Sequence, residues 1–245
     1  MAKNDLSFTI NKSKWTRFLS MVELSGDIQV KEVILDFTTT EVKVLAVTQN
    51  KTIAMRGILK GDFKLTGQVG IDDLQLFRAS ISSMPDAEIT FVVKNNKIVL
   101  GSDTEKVKIS TVMRAIEYVQ TALPEDKFNT HAKKGQGNSF NLEHFQVSKI
   151  LGYLSTLVSP SLGLEGEGST ITLSIENNQN EIVADFDIKE TVSKFKVKLA
   201  KFFGIVLKIV GKGVEISVTK NDAPVYIKIE EDGIVIEYIM APISQ

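Results

Sequence analysis

The sequence predicts an α+β protein of two topologically similar domains, each an antiparallel β-sheet backed by two α-helices. Three observations carry this reading. The chain repeats itself about 127 to 132 residues apart, and a duplication of that size constrains the fold more than any local signal. Ser7-Phe8 and Ser139-Phe140 each open an amphipathic stretch, in which Ile10, Arg17, Phe18 and Leu19 align with Leu142, Lys149, Ile150 and Leu151. Glu88-Ile89-Thr90 with Lys94-Asn95-Asn96 returns as Glu215-Ile216-Ser217 with Lys220-Asn221-Asp222, and Met113 and Met240 close the two copies. Second, most of each half consists of β-branched and aromatic runs separated by polar turn residues. Third, two segments in each half carry apolar residues at helical spacing. The predicted division is a first domain over residues 1–113, a connector over 114–127 and a second domain over 128–245.

In order, residues 8–10 read as a short strand and 11–24 as a helix capped by Asn11 or Ser13. Trp15, Phe18, Leu19 and Val22 fall at i, i+3, i+4 and i+7 and form its buried face. Strands follow at 30–37, 41–47, 52–59 and 63–69. Residues 72–82 predict a short second helix that buries Leu74, Phe77 and Ile81 and stops at Met84-Pro85-Asp86. Strands at 88–93, 97–100 and 106–112 close the half, with Asn95-Asn96 as a hairpin turn because Asn tolerates positive φ. The connector, with Pro124 and mixed charges, reads as extended, and 131–137 as a polar, glycine-containing loop.

The second half repeats the plan. Residues 141–158 predict its long helix, and 170–175, 181–188 and 194–199 its first strands. Residues 201–210 predict a short helix with Phe202, Val206 and Ile209 inward and Lys201 and Lys208 outward; strands at 214–219, 225–229 and 234–240 finish the sheet. The stretch from 169 to 199 is shorter than its counterpart, which predicts a missing or shortened strand.

Composition bounds the function. A hydrophobic fraction of 43% supplies two cores, and 29 basic against 30 acidic residues give a net charge of -1, so the chain lacks the overall basicity of a simple nucleic-acid binder while leaving room for a local basic surface. With no cysteine, disulfides and thiolate metal sites are excluded. No run of about 18 apolar residues is present, and residues 1–11 lack a basic n-region and an apolar h-region, so the expectation is a soluble intracellular protein that makes no use of a membrane.

Catalytic signals are sparse. His131 and His144 stand in unlike contexts without metal-ligand spacing, and none of the nucleophile-elbow, zinc-protease, dinucleotide or phosphate-loop motifs occurs. Gly211-Lys212-Gly213 reads as a helix C-cap and turn, Asp72-Asp73 as carboxylates at a helix start, and Glu230-Glu231-Asp232 before Gly233 as a solvated turn. The expectation is a protein that is not an enzyme, with no cofactor and no metal. The four long or short helices carry the stronger signal. Lys14, Arg17, Arg78, Lys149, Lys201 and Lys208 lie away from the core faces, while carboxylates there are few, chiefly Glu23 and Glu143. Cations on helices and acids on strands and loops would make one basic surface for phosphates.

At this point the residues resemble a known family, the DNA polymerase sliding clamps of the proliferating cell nuclear antigen type. Asn221-Asp222-Ala223-Pro224-Val225, Glu231-Asp232-Gly233 and Tyr238-Ile239-Met240-Ala241-Pro242 resemble that family's ordered C-terminal turns and terminal A-P motif. Leu123-Pro124-Glu125-Asp126-Lys127-Phe128 is similar to the I-P-E-x-E-Y that closes its interdomain connector.

The resemblance implies the DNA clamp fold and a ring of three two-domain subunits, or of related subunits, around double-stranded DNA. Topological closure would supply retention, so weak, sequence-independent phosphate contacts suffice. Carried over, the channel contacts are Lys12, Lys14, Arg17, Arg78, Lys149, Lys201, Lys208 and Lys212. The pocket for partner peptides of DNA polymerase and other clients falls on Val47, Lys51, Ala54, Leu123, Pro224, Ile239, Ala241 and Pro242, and the subunit interface on Val107, Ile109, Val112, Ile182 and Ala184. A clamp loader is an implied partner, and replication forks the implied location: the nucleus in a eukaryote, the cytoplasm or nucleoid in a prokaryote or virus. The alternative is a peptide-binding scaffold of the same fold that does not encircle DNA.

Overall fold

A computed structural model of the chain describes residues 6–243. The chain divides into two compact units. The first holds most of residues 1–123 together with Glu230–Ile236; the second holds Pro124–Ile229, Glu237–Gln245 and Asn50–Met55.

In the first unit, β1 (Leu6–Asn11) leads into α1 (Lys12–Glu23), then β2 (Val33–Phe37), β3 (Glu41–Val47), β4 (Ile53–Lys60), β5 (Gly67–Ile71), α2 (Leu74–Ser82), β6 (Glu88–Lys94), β7 (Lys97–Gly101) and β8 (Lys108–Val112). One antiparallel sheet runs β1-β6-β7-β8, and β5-β2-β3-β4 are neighbours in another. Asn11 caps α1 by accepting from the Lys14 amide at 3.0 Å, and Asp73 caps α2 by accepting from Leu76 at 2.8 Å. These side chains satisfy amides that a helix start leaves unpaired. Trp15, Phe18, Leu19 and Val22 are buried as the spacing predicts, with Leu74, Phe77 and Ile81 of α2. The core is aromatic: Phe8 stacks on Phe91 at 4.8 Å, and Phe63 meets Phe8, Phe37 and Trp15 edge-on at 5.6 to 6.2 Å. Asn95 and Asn96 turn the β6–β7 hairpin at φ 49° and 59°. Phe63 and Leu65 are buried, but the strand predicted there begins later, at Gly67. Gly70 of β5 passes so close to the Arg114 carbonyl that a Cβ has no room.

The second unit contains α3 (Glu125–Gly135), β9 (Asn138–Leu142), α4 (His144–Thr156), β10 (Ser161–Glu176), β11 (Glu181–Ala200), α5 (Phe202–Val210), β12 (Val214–Val218), β13 (Val225–Glu231) and β14 (Ile234–Met240), the last two shared with the first unit. Strands β14-β13-β12-β9 are neighbours in order, and β10 pairs with β11 alone. Five expectations are corrected here. The end of the connector and the 131–137 loop are replaced by α3, which buries only Phe128, Ala132 and Gly135, too short a stripe to announce a helix by periodicity. The rest of the connector holds a 3-10 turn at Ile116–Tyr118. The predicted helix at 141–158 starts three residues later, because Phe140 and Leu142 alternate as β9, and Glu143 closes a capping box with Gln146. The region read as compressed holds two long strands of 16 and 20 residues, with pairing shifts at Gly166, Gly168 and Thr170. No strand is lost there; pairs of shorter strands are fused across these irregularities. Finally, α5 buries Val206 as predicted, but with Phe203, Leu207 and Val210 in place of Phe202 and Ile209. Eight of its nine residues are apolar or glycine, so spacing alone could not orient it.

Candidate nucleic-acid and partner surfaces

The described parts of α1, α2, α4 and α5 contain a single carboxylate, Glu23, and it is buried at 4% exposure. The outward faces of these helices therefore bear cations without acids on the same helix. α1 packs on α2 and α4 on α5, so each unit presents a helix pair.

In the first unit each predicted cation is engaged. Lys12 Nζ donates to the Met84 carbonyl at 2.7 Å, and Lys14 Nζ to the Lys60 carbonyl at 3.2 Å beside Gly233. Arg17 Nε donates to Glu231 at 2.7 Å, and Arg78 Nε to Glu23 at 2.5 Å. Glu23, placed on an outer face by the sequence reading, in fact turns inward and also accepts from Gln29 at 3.0 Å. Glu231, read as part of a solvated turn, is instead an ion-pair partner whose side chain is 17% exposed. The turn itself is Asp232-Gly233, both at positive φ.

The second unit differs. Lys149 is exposed on α4, with its Nζ 5.8 Å from the centre of the exposed Phe145 ring. Lys201 and Lys208 are exposed at the two ends of α5. Lys208, in the last turn, also suits the negative end of the helix dipole. Lys212 is half-buried after Gly211, which adopts φ 67° as the helix C-cap. Neither Lys149 nor Lys208 has an ion pair among the described residues. Glu143, before α4, is drawn to Lys189 at 2.6 Å. That bond holds the Lys189 ammonium above its usual pKa.

The predicted partner-pocket residues separate by unit. In the first, the connector end runs against β3: Val47 donates to the Thr121 carbonyl at 2.9 Å and Leu123 to Leu45 at 3.2 Å, leaving Val47 and Leu123 half-buried. Ile116 and Tyr118 of the connector are exposed, at 37% and 64%, and the sequence reading passed over them. In the second unit Lys51 and Ala241 are exposed, Ala54, Pro224 and Pro242 half-buried, and Ile239 is core. The Ala241 amide donates to Thr52 at 3.0 Å, which holds the terminal segment beside the start of β4.

The predicted interface residues lie on two edge strands. Ile109 and Val112 are on β8 and Ile182 and Ala184 on β11, with Val107 just before β8; Val112 is 61% exposed and the others are half-buried. Val183, between Ile182 and Ala184 on β11, is 58% exposed and was passed over in the sequence; the alternation along 181–187 was the signal for it.

Among the described residues no group of three or more His, Asp or Glu is arranged to hold a metal, and no helix is long and apolar enough to cross a membrane. No protein-family model matches the chain, and no curated protein sequence does. Solved structures do. The chain is similar to the proliferating cellular nuclear antigen of Entamoeba histolytica (TM-score 0.79, 14% identity, 98% of this chain and 99% of that one). It is similar to the DNA polymerase III beta subunit of Thermotoga maritima (TM-score 0.77, 12% identity, 100% and 67%). A third is the PCNA of A. fulgidus bound to the C-terminal region of FEN-1 (TM-score 0.75, 12% identity, 98% and 98%). The likeness spans essentially the whole of this chain, which covers about two thirds of the Thermotoga subunit: the chain has the DNA clamp fold.

Proposed function

We propose that this chain is a non-enzymatic DNA sliding clamp: a subunit of a ring, three chains in the simplest case, that encircles duplex DNA and tethers polymerase and other replication or repair proteins. The observation that carries the proposal is the set of four helices whose only carboxylate is buried, in a chain whose net charge is -1. Segregation of charge onto helix faces supports contact with phosphates of any sequence. In this reading Lys149, Lys201, Lys208 and Lys212 of the second unit bear on DNA directly. Lys12, Lys14, Arg17 and Arg78 add to the field while bonded to protein acceptors. Partner peptides would use Val47, Leu123 and the exposed Ile116 and Tyr118 of the first unit, and Lys51, Ala54, Pro224, Ala241 and Pro242 of the second. The working division is residues 1–113, 114–127 and 128–245, and the site of action is inside the cell at replication forks, with a clamp loader as partner.

One observation favours the second reading, a peptide-binding scaffold that does not encircle DNA: Arg17 and Arg78 are spent on Glu231 and Glu23. The two readings part on Lys149→Glu with Lys208→Glu. As a clamp, the variant keeps its fold by circular dichroism and loses most of its duplex binding and its stimulation of polymerase processivity. Unchanged binding and processivity would favour the scaffold.

A further inference from the structure

α3 carries cations that no acid answers among the described residues. Its inner stripe, Phe128, Ala132 and Gly135, is buried in the second unit. Beside that stripe Lys127, His131 and Lys134 fall at i, i+4 and i+7, all exposed, and Lys133 is exposed next to them. No side-chain hydrogen bond or ion pair engages any of the four among the described residues.

Two ordinary explanations of surface cations on a helix fail for this stripe. One is pairing along the helix. Three and four residues from Lys127, Lys133 and Lys134, in either direction, the chain holds no carboxylate. The other is the helix dipole, which favours cations in the last turn. It accounts for Lys133 and Lys134, but Lys127 stands in the first turn, where a cation is disfavoured.

The helix is also held firmly against the sheet. A Cβ on Gly135 would lie 2.9 Å from the Pro224 carbonyl and 3.1 Å from Tyr226 Cβ, so the end of α3 presses on the entry to β13. The Thr219 hydroxyl donates to the Lys134 carbonyl, and the Gly137 amide donates to Ser217 Oγ at 3.0 Å. The stripe therefore ends beside Pro224 within one compact unit.

We propose that Lys127, His131 and Lys134 receive an acidic run in partner peptides whose apolar part seats at Pro224. The proposal rests on reading Pro224 as part of the peptide seat and adds the chemistry of the partner. Charge complementarity sets the sign of that partner. Helix geometry sets its length: seven residues of helix rise about 10.5 Å, which an extended peptide crosses in about three residues. The run is then about three or four Asp or Glu, with the neutral His131 giving an N–H donor between the two ammonium groups. A tract of nucleic acid fits less well. Glu125 and Asp126 head the same helix and would repel phosphates that continued past Lys127.

A display library of random linear peptides, selected on the full chain, reads this preference directly. Enriched peptides are expected to join an apolar or aromatic segment to a short run of Asp or Glu. Selection on Lys127→Glu with Lys134→Glu should keep the apolar segment and lose the acids. One enriched peptide is then synthesised twice, with its acids and with Gln or Asn in their place. At low salt the parent chain should bind the acidic form about tenfold tighter; the margin should shrink with added salt and vanish on Lys127→Gln with Lys134→Gln. Circular dichroism checks that these surface variants keep the fold. Enriched peptides without acids, or a margin that survives in the variants, would overturn the proposal and leave the peptide seat standing. A library from which nothing is enriched would remove both. If a duplex oligonucleotide loses affinity in the Gln variant and the acidic peptide does not, the stripe serves nucleic acid and the proposal falls.

Discussion

The two units follow one plan with opposite chemistry. The first is filled by rings: Phe91 alone lies against Phe8, Trp15, Phe37 and Phe77, and the helix cations above this core are tied to protein acceptors. In the second Phe140 stacks on Phe195 at 6.0 Å, the remaining core is largely Ile, Leu and Val, and Lys149 and Lys208 stand exposed on helices without acids. Polarity pattern, shared by both halves, specifies the backbone plan; side-chain identity is then free to divide the work. The difference lies in how each unit disposes of its helix cations: bonded to protein acceptors in the first, exposed at Lys149 and Lys208 in the second.

The largest test of that division is in the cores. Phe91→Ala is expected to cost about 3–5 kcal/mol in urea unfolding, because it removes apolar volume and four ring contacts. Phe195→Ala, with a single ring neighbour, should cost less; a greater loss at Phe195 would break the comparison. Next come the carboxylates. Glu23→Gln leaves Arg78 and Gln29 around a buried, neutral acceptor and should cost about 1–3 kcal/mol. Glu143→Gln, which weakens an exposed pair with Lys189, should stay within about 0.5 kcal/mol.

Glycines sharpen the contrast at smaller scale. Gly152 lies exposed in α4 with nothing within 4 Å of a Cβ, so Gly152→Ala should stabilise by about 0.5–1 kcal/mol. A Cβ on Gly57 would lie 3.0 Å from Phe18 and 3.1 Å from Ile236, and Gly57→Ala should destabilise. Lys149→Ala should leave the melting temperature unchanged and lower the salt dependence of duplex binding by about one unit of slope. Arg17→Ala should change that slope less, because Glu231 already neutralises it. The smallest effect is titratable. Asn141 donates to Glu190 at 2.6 Å and holds that carboxyl below its usual pKa. A lowered folded pKa gives stability that is present above the unfolded value and lost as pH falls through the folded one. Asn141→Ala should therefore destabilise at neutral pH and have no such effect in strong acid.

Much of this was legible in the chain. Trp15, Phe18, Leu19 and Val22 announced α1, and Asn95-Asn96 its later hairpin, because each rests on a local rule of spacing or backbone angle. α3 was not, since Phe128 and Ala132 are its only large-to-small apolar pair; Glu125 and Asp126 at its start and Lys133 and Lys134 at its end were the available dipole signals. Nor was the Arg17–Glu231 pair, whose members lie 214 residues apart, so no local pattern encodes it. Charge counted along the sequence overstated the exposed cations of the first unit for that reason. The long β10–β11 pair escaped because its pairing shifts at Gly166, Gly168 and Thr170 interrupt the alternation by which a continuous strand is recognised, so that only the pieces at 170–175, 181–188 and 194–199 stood out.

The most direct test of encirclement is topological. The assembled chain, loaded on a relaxed circular plasmid, is passed over a sizing column in high salt before and after a single endonuclease cut. A clamp co-elutes with the closed circle and is released by the cut, since phosphate contacts alone do not survive that salt. Equal loss from circular and linear DNA, or equal retention on both, would contradict the account.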